Sequence, residues 1–299
     1  MLNLAHARTF LTVIETGGLR AAARRLDISA ATVVDHLNQL EAELAAALLL
    51  RRRPKVELTP QGQAFMPLAR ALITTAERAR RIVADAPVRI AAASNIGAYM
   101  LPPIIAEIER SWGNRIEMWI GSNPDVADRL ETGAADITAM EWWDNRPGFA
   151  ARPWRRERLC VIVAPEHHWA GRKEIAAEEL ADEPMLGGER ASGTGGLLRE
   201  RLGPVFGSLK LISGFGSTEA VKRGVRAGLG VSVVLEISVA DEIAAGALVA
   251  IPIAGGELVK QLWLVAPSGL PESAPASRLL SALARSARVP VDVGAAVRA

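Results

Sequence analysis

The stretch that decides the fold is ISAATVVDHLNQLEAEL, residues 28–44. Ser29 has the hydroxyl that caps helices, and Val33, Leu37, Leu40 and Leu44 follow at i, i+4, i+7 and i+11, the spacing of one apolar helical stripe. Just upstream, LRAAARRL (19–26) makes a second short helix with a small contact face, Ala21, Ala22 and Ala23, and Asp27-Ile28 leave room only for a tight turn. Further back, LAHARTFLTVIET (4–16) places Leu4, Ala7, Phe10, Leu11 and Ile14 on one stripe before Gly17-Gly18 ends the run. Three short helices joined this way predict a helix-turn-helix whose third helix lies in the major groove.

The sequence after it extends the same reading. In LLLRRRPKVELTPQG (48–62), Pro54 stops a helix and the alternation around Lys55–Leu58 suits a short β wing carrying Arg51, Arg52, Arg53 and Lys55. Thr59 then caps, and Pro60 opens, a long helix to about Ala86, with Ala64, Leu68, Leu72, Thr75 and Ala79 on one side. A lone amphipathic helix of that length is marginal in water, so pairing with its copy in a dimer is expected.

From Val88 the period changes. VRIAAAS, RIEMWIG, DITAMEW and RLCVIVAP read as strands, with helices LPPIIAEIERS and DVADRLETG between the first three. A second set, EPMLGG, LKLISGF, GVSVVLE, LVAIPI and KQLWLVAP, alternates with STEAVKRGVRAG and SVADEIAAG. Such alternation predicts parallel α/β sheets, and two sets predict two lobes with a cleft between them. The expected division is 1–58 for the helix-turn-helix and wing, 59–87 for the long helix and 88–299 for the two-lobed α/β part. Within the last, lobe I takes about 88–163 and 266–299, and lobe II about 164–265. The tail VPVDVGAAVRA reads as weakly structured.

Charge is unevenly spread. Residues 1–87 hold 12 Lys/Arg against 8 Asp/Glu and the rest 23 against 25, so the basic end is the part suited to a polyanion. The first 20 residues contain Arg8, Glu15 and Arg20 and no long uncharged apolar run exists, which argues against a signal peptide or membrane span and for a cytoplasmic protein. The single cysteine, Cys160, lies in the apolar run LCVIVAP and reads as a buried strand residue.

The chain resembles the LysR-type transcriptional regulators. The resemblance is carried by FLTVIETGGLRAAARRLDISAATVVDHLNQLEAEL, the RRRPKVELTPQG wing, and the half opening VRIAAASNIGAYMLPPIIAEI. It implies a winged helix-turn-helix, a dimerising linker helix and a two-lobed effector domain like that of periplasmic binding proteins, assembled as a homotetramer. ASNIGAYMLP, ERASGTGG and GFGSTEAVKRGVRAGLGVSV look most like the branch of Calvin-cycle and sulfur- or sulfite-responsive regulators. The reading helix departs from the family, which usually carries polar residues at the positions of Ala30, Ala31 and Val34 and often a basic one at Asp35. Family members also commonly have an aromatic near Leu49 and a second basic wing residue at Pro54.

Small apolar side chains can meet thymine methyl groups, and Thr32, His36 and Asn38 remain for polar contacts. Asp35 either accepts from a cytosine amino group or repels phosphate. Arg20, Arg24, Arg51, Arg52, Arg53 and Lys55 suit sequence-independent phosphate contacts, so a larger share of backbone and shape readout is expected. The candidate DNA set is these six with Ser29, Ala30, Thr32, Val34, Asp35, His36 and Asn38.

For the ligand, three loops supply hydroxyl or amide groups at helix starts: Ser94-Asn95, Ser192-Gly193-Thr194 and Gly216-Ser217-Thr218. By resemblance they line the effector cleft, and their chemistry points to a small anion such as a carboxylate, phosphate or sulfur oxyanion. Each alone is also what an ordinary N-cap looks like. Glu141 and Trp142, with Trp143, end the DITAM strand, where a carboxylate can select a donor-bearing ligand and the tryptophans can wall a pocket or serve as core and loop cover. Arg190 is a further anion partner.

His6 and His36 lie on helices and His167-His168 in a turn, with no HExxH or Cys/His cluster, and no GxSxG, GK[ST] or GxGxxG segment occurs, so neither a metal, a cofactor nor catalysis is expected. The function expected is an effector-switched DNA-binding regulator. The alternatives are a solute-binding module with weakened DNA affinity and, further off, an enzyme using the cleft.

Overall fold

The computed structural model describes residues 2–50, 56–84, 86–113, 115–189 and 193–286. The wing residues Arg51, Arg52, Arg53 and Lys55, the cleft candidates Arg190 and Ser192, and the tail read as weakly structured lie outside the described residues. Contacts divide the chain into two units, one of Met1–Ala86 with Glu131–Ala134 and one of Pro87–Leu130 with Ala135–Ala299.

The first unit opens with α1 (Leu4–Thr16), α2 (Leu19–Leu26) and α3 (Ala30–Glu43). Asn3 caps α1 by accepting from Ala5 N, and Gly17 ends it at φ 74, a left-handed conformation that glycine adopts without strain. Ser29 caps α3 by accepting from Thr32 N at 3.0 Å. Phe10, Ala22, Val33 and Leu40 are fully buried, so the helical stripes read from the sequence do face one core, except that Leu4 is 41% exposed. Strands β1 (Leu49–Leu50) and β2 (Glu57–Leu58) pair antiparallel at the wing. The Glu41 carboxylate ties that wing to α3, accepting from Leu48 N at 2.7 Å and Leu49 N at 3.1 Å.

Next comes α4 (Pro60–Val83). Thr59 accepts from Gly62 N and donates to Ala47 O at 2.6 Å, so one hydroxyl caps the helix and holds the chain before the wing. A side chain at Gly62 would put its Cβ 2.1 Å from Leu48 O, which explains the glycine. Ala69 packs inward, whereas Ala64, Leu68, Leu72, Thr75 and Ala79 are all exposed.

The second unit contains β3 (Val88–Ala93), α5 (Ser94–Tyr99), α6 (Leu101–Trp112), β4 (Ile116–Gly121), α7 (Asn123–Glu131), β5 (Ile137–Met140) and β6 (Phe149–Val163). There follow β7 (Pro184–Leu186), α8 (Gly193–Leu202), β8 (Lys210–Ile212), α9 (Thr218–Arg226), β9 (Ser232–Leu235), α10 (Ala240–Ala244), β10 (Val249–Ile251), β11 (Leu258–Pro267) and α11 (Pro275–Ser286). β3 lies between β4 and β5 in parallel register, and β7 is parallel to β8, as the alternation of strands and helices predicts. The other pairings depart from that expectation: β6, β9, β10 and β11 run antiparallel to their partners.

The reason is the crossing between lobes. β6 leaves lobe I and β11 returns to it, and two crossing strands of opposite direction pair with each other. Phe149–Pro153 pair with the end of β11 beside β5, while Leu159–Val163 pair with β9 and β10 in lobe II. The register shifts between Gln261 and Trp263, a local irregularity where the strands change lobes. The first half of β6, FAARPWRRE, is a strand the sequence reading did not mark, because its alternation is masked by arginines. Its Trp154 is buried and donates through Nε1 to Leu283 O at 2.7 Å, anchoring α11. No helix among the described residues is long and apolar enough to cross a membrane.

Candidate functional site

The candidate DNA-reading surface is the outer side of α2 and α3. Arg20, Arg24, Ser29, Ala30, Asp35 and Asn38 are exposed, and Thr32 and Val34 are half-buried. Two polar groups on α3 are occupied within the helix, since Ser29 and Thr32 share a hydrogen bond of 2.8 Å and Gln39 donates to Asp35 Oδ2 at 2.7 Å. His36 is turned toward α1 instead: Nδ1 lies 2.9 Å from Thr9 Oγ1 and its ring centroid 4.7 Å from that of buried His6. That half-turn along the helix from Asn38 gives His36 a packing contact the sequence reading did not anticipate.

The second surface is a cavity of about 380 Å³ between the two lobes. Ser94, Asn95, Glu141, Trp142, Thr194, Ser217 and Thr218, all expected from the sequence, line it. So do the first residues of α7, which the sequence reading passed over. The helix starts of α5, α7, α8 and α9 therefore all reach this cavity, and their backbone N–H groups and dipoles favour negative charge there. Ser217 is spent in part on capping α9, accepting from Ala220 N, and Ser94 donates to Gly121 O at 2.9 Å.

A chain of polar contacts joins the lobes across this floor. Thr218 Oγ1 donates to Asn95 Oδ1 at 2.6 Å, and Asn95 Nδ2 donates to Glu141 Oε1 at 2.9 Å. Glu141 Oε2 accepts from Lys260 Nζ, whose other contact is Thr194 Oγ1 at 3.3 Å. The ion pair is deeply buried, with side-chain exposures of 5% for Lys260 and 11% for Glu141. Asn123 orients the same loop, accepting from Glu141 N at 2.8 Å and donating to Trp142 O at 2.9 Å. Gly193 is required by closeness: a Cβ there would stand 3.0 Å from Lys260 Nζ and 2.9 Å from the Trp142 ring. Trp143 leaves the cleft and packs edge-on against Phe149, so the two tryptophans divide between wall and loop cover.

Lys260 was absent from the sequence-based candidates, although a signal existed. In LVKQLWLV the inward positions are Leu258, Lys260 and Leu262, and a lysine at an inward strand position needs a partner.

The histidine turn also holds more than its sequence suggests. Glu183 faces His167 Nε2 at 3.7 Å and His168 Nε2 at 3.6 Å, a three-residue group that could hold a metal ion by proximity. However, Trp169 N donates to His167 Nδ1 at 3.2 Å. The neutral ring then carries its proton on Nε2 and presents a donor, not a lone pair, to Glu183. Burial, opposed by the Glu183 charge, holds the His167 pKa below the usual histidine value.

A winged helix-turn-helix followed by a two-lobed cleft defines a transcription regulator with its own effector-binding domain. The comparisons agree. The description LysR substrate binding domain matches residues 84–288, and bacterial regulatory helix-turn-helix protein, lysR family, matches residues 4–63. The chain belongs to the LysR family of transcriptional regulators. It is 39% identical over 196 residues to the protein PtxE of Stutzerimonas stutzeri, covering 65% of this chain and all of that one. With the HTH-type transcriptional regulator CysL of Bacillus subtilis it shares 30% identity over 76% of this chain and 78% of the relative. The crystal structure of ArgP from Mycobacterium tuberculosis has the same fold, at TM-score 0.70 and 20% identity, over 96% of this chain and 98% of that one.

Proposed function

We propose that this protein is a cytoplasmic regulator that grips promoter DNA as a homo-oligomer and is switched by a small anion held between its lobes. Residues 1–58 read DNA, 59–87 pair two chains, and 88–299 sense the ligand. The observation that carries the ligand half is the convergence of four helix starts and their hydroxyl and amide side chains on one cavity. For the dimer, support comes from the stripe Ala64, Leu68, Leu72, Thr75 and Ala79, which one chain leaves exposed along α4. Two such dimers make a tetramer, and a ligand that binds one lobe arrangement better shifts its population, changing the spacing of the DNA-reading units.

DNA affinity rests chiefly on phosphate contacts by Arg20 and Arg24, together with Arg51, Arg52, Arg53 and Lys55. Thr32 and Asn38 supply polar reach, and Ala30 and Val34 offer methyl contacts on the α3 face. A salt titration of binding to duplex DNA tests this. Six to ten phosphate contacts predict a log–log slope of roughly −5 to −9. A flat slope would instead favour a sensor module with little DNA affinity, the reading that the apolar α3 face and exposed Asp35 suggest.

A further inference from the structure

The cleft sets a charge problem for any anion. Among the described residues, the ionisable side chains that line it are two carboxylates, Glu141 and Glu189. The Lys260 ammonium behind Glu141 is engaged by Glu141 Oε2 and Thr194 Oγ1. Helix N-termini attract a negative ligand with partial charges of about half a unit each, but they do nothing for an oxygen placed against Glu141. A ligand oxygen with only lone pairs would there face another acceptor, and a polar group left without a partner on binding weakens the complex, more so when charged. An oxygen bearing hydrogen would donate to the carboxylate.

Glu141 is equipped to accept. Its carboxylate offers about four lone-pair sites, of which Asn95 Nδ2 and Lys260 Nζ use two. Lys260 balances its charge, so the pair presents an acceptor to the cavity without adding net negative charge. Gly193 keeps the pair uncovered, because a Cβ there would stand 3.2 Å from Glu141 Oε2.

Resting on the anion reading above, we infer that the cleft selects anions that retain a hydroxyl donor, with Glu141 as the accepting residue and Lys260 as its positioning partner. A tetrahedral oxyanion that keeps a proton at neutral pH has this chemistry, and so does a 2-hydroxycarboxylate. Sulfate and simple carboxylates lack it. Sites built around a ligand hydroxyl reject analogues without one by up to about 10⁴-fold.

The test is calorimetry on the full chain at neutral pH and fixed ionic strength with four probes: inorganic phosphate, inorganic sulfate, lactate and propionate. Phosphate should bind at least about 100-fold tighter than sulfate, or lactate than propionate, and the pair that discriminates tells which source supplies the donor. Glu141→Gln should shrink that ratio to within about fivefold, because an amide can donate to a bare oxyanion. That variant leaves Lys260 unpaired, so Glu141→Gln with Lys260→Met is measured beside it, with thermal unfolding as the check on folding. An unchanged ratio in both folded variants overturns the role of Glu141. Equal or tighter binding of sulfate and propionate overturns the donor requirement and leaves the anion cleft standing. No binding of any probe sinks both.

Discussion

Two carboxylates stand at the two candidate recognition surfaces, and they are held in opposite ways. Asp35 is exposed on α3 and takes one hydrogen bond from Gln39, its neighbour one helical turn on. Glu141 is enclosed at the cleft floor, and its partners Asn95 and Lys260 come from 46 and 119 residues away. Water screens the first, so its electrostatic worth is small and it can change with little effect on folding. The second is largely withdrawn from water, and its stability depends on keeping both partners.

The sharpest way to break this contrast is Lys260→Ala. Removing one member of a buried ion pair strands the other, and a loss of about 3–5 kcal/mol is expected in urea unfolding. Replacing both members with neutral groups should restore most of it. A loss below about 1 kcal/mol would mean that water reaches Glu141 as freely as Asp35. A smaller effect is expected from Thr59→Ala, which removes a buried hydroxyl in the first unit whose partners are near in sequence. The lost cap and the stranded Ala47 carbonyl should cost about 1–2 kcal/mol, again by urea unfolding. Asp35→Asn should be smallest in stability, within about 0.5 kcal/mol. It should raise affinity for random duplex a few-fold by removing like-charge repulsion of phosphate. Weaker binding confined to sites with a cytosine at one position would assign Asp35 the accepting role instead.

The same contrast explains what was legible in the sequence. Val33, Leu37 and Leu40 declare α3 because a helix repeats its buried face every three or four residues, and Ser29 and Thr59 cap helices that begin one residue later. Asn95 and Thr218 could be placed near a cleft by the family resemblance of their loops, and Glu141 because it ends a recognisable strand. What they touch could not be read, since Asn95 meets Thr218 across 123 residues. Glu183 beside His167 and the antiparallel run of β6 on β11 were hidden for the same reason. His36 shows a local failure too: its position on α3 suggested an outward contact, and only the α1 packing reveals Thr9 and His6 beside it.

The burial of Cys160 has a practical consequence. It is 4% exposed on β6 opposite Val234, and burial, with the nearby Glu236 charge, pushes its pKa far above that of a free thiol. A thiol so placed supplies neither thiolate nor access to an alkylating reagent. The folded chain is thus a ready background for site-directed labelling: one cysteine introduced on each lobe can carry a fluorophore or spin label, and the distance between them followed, without first engineering out the native residue.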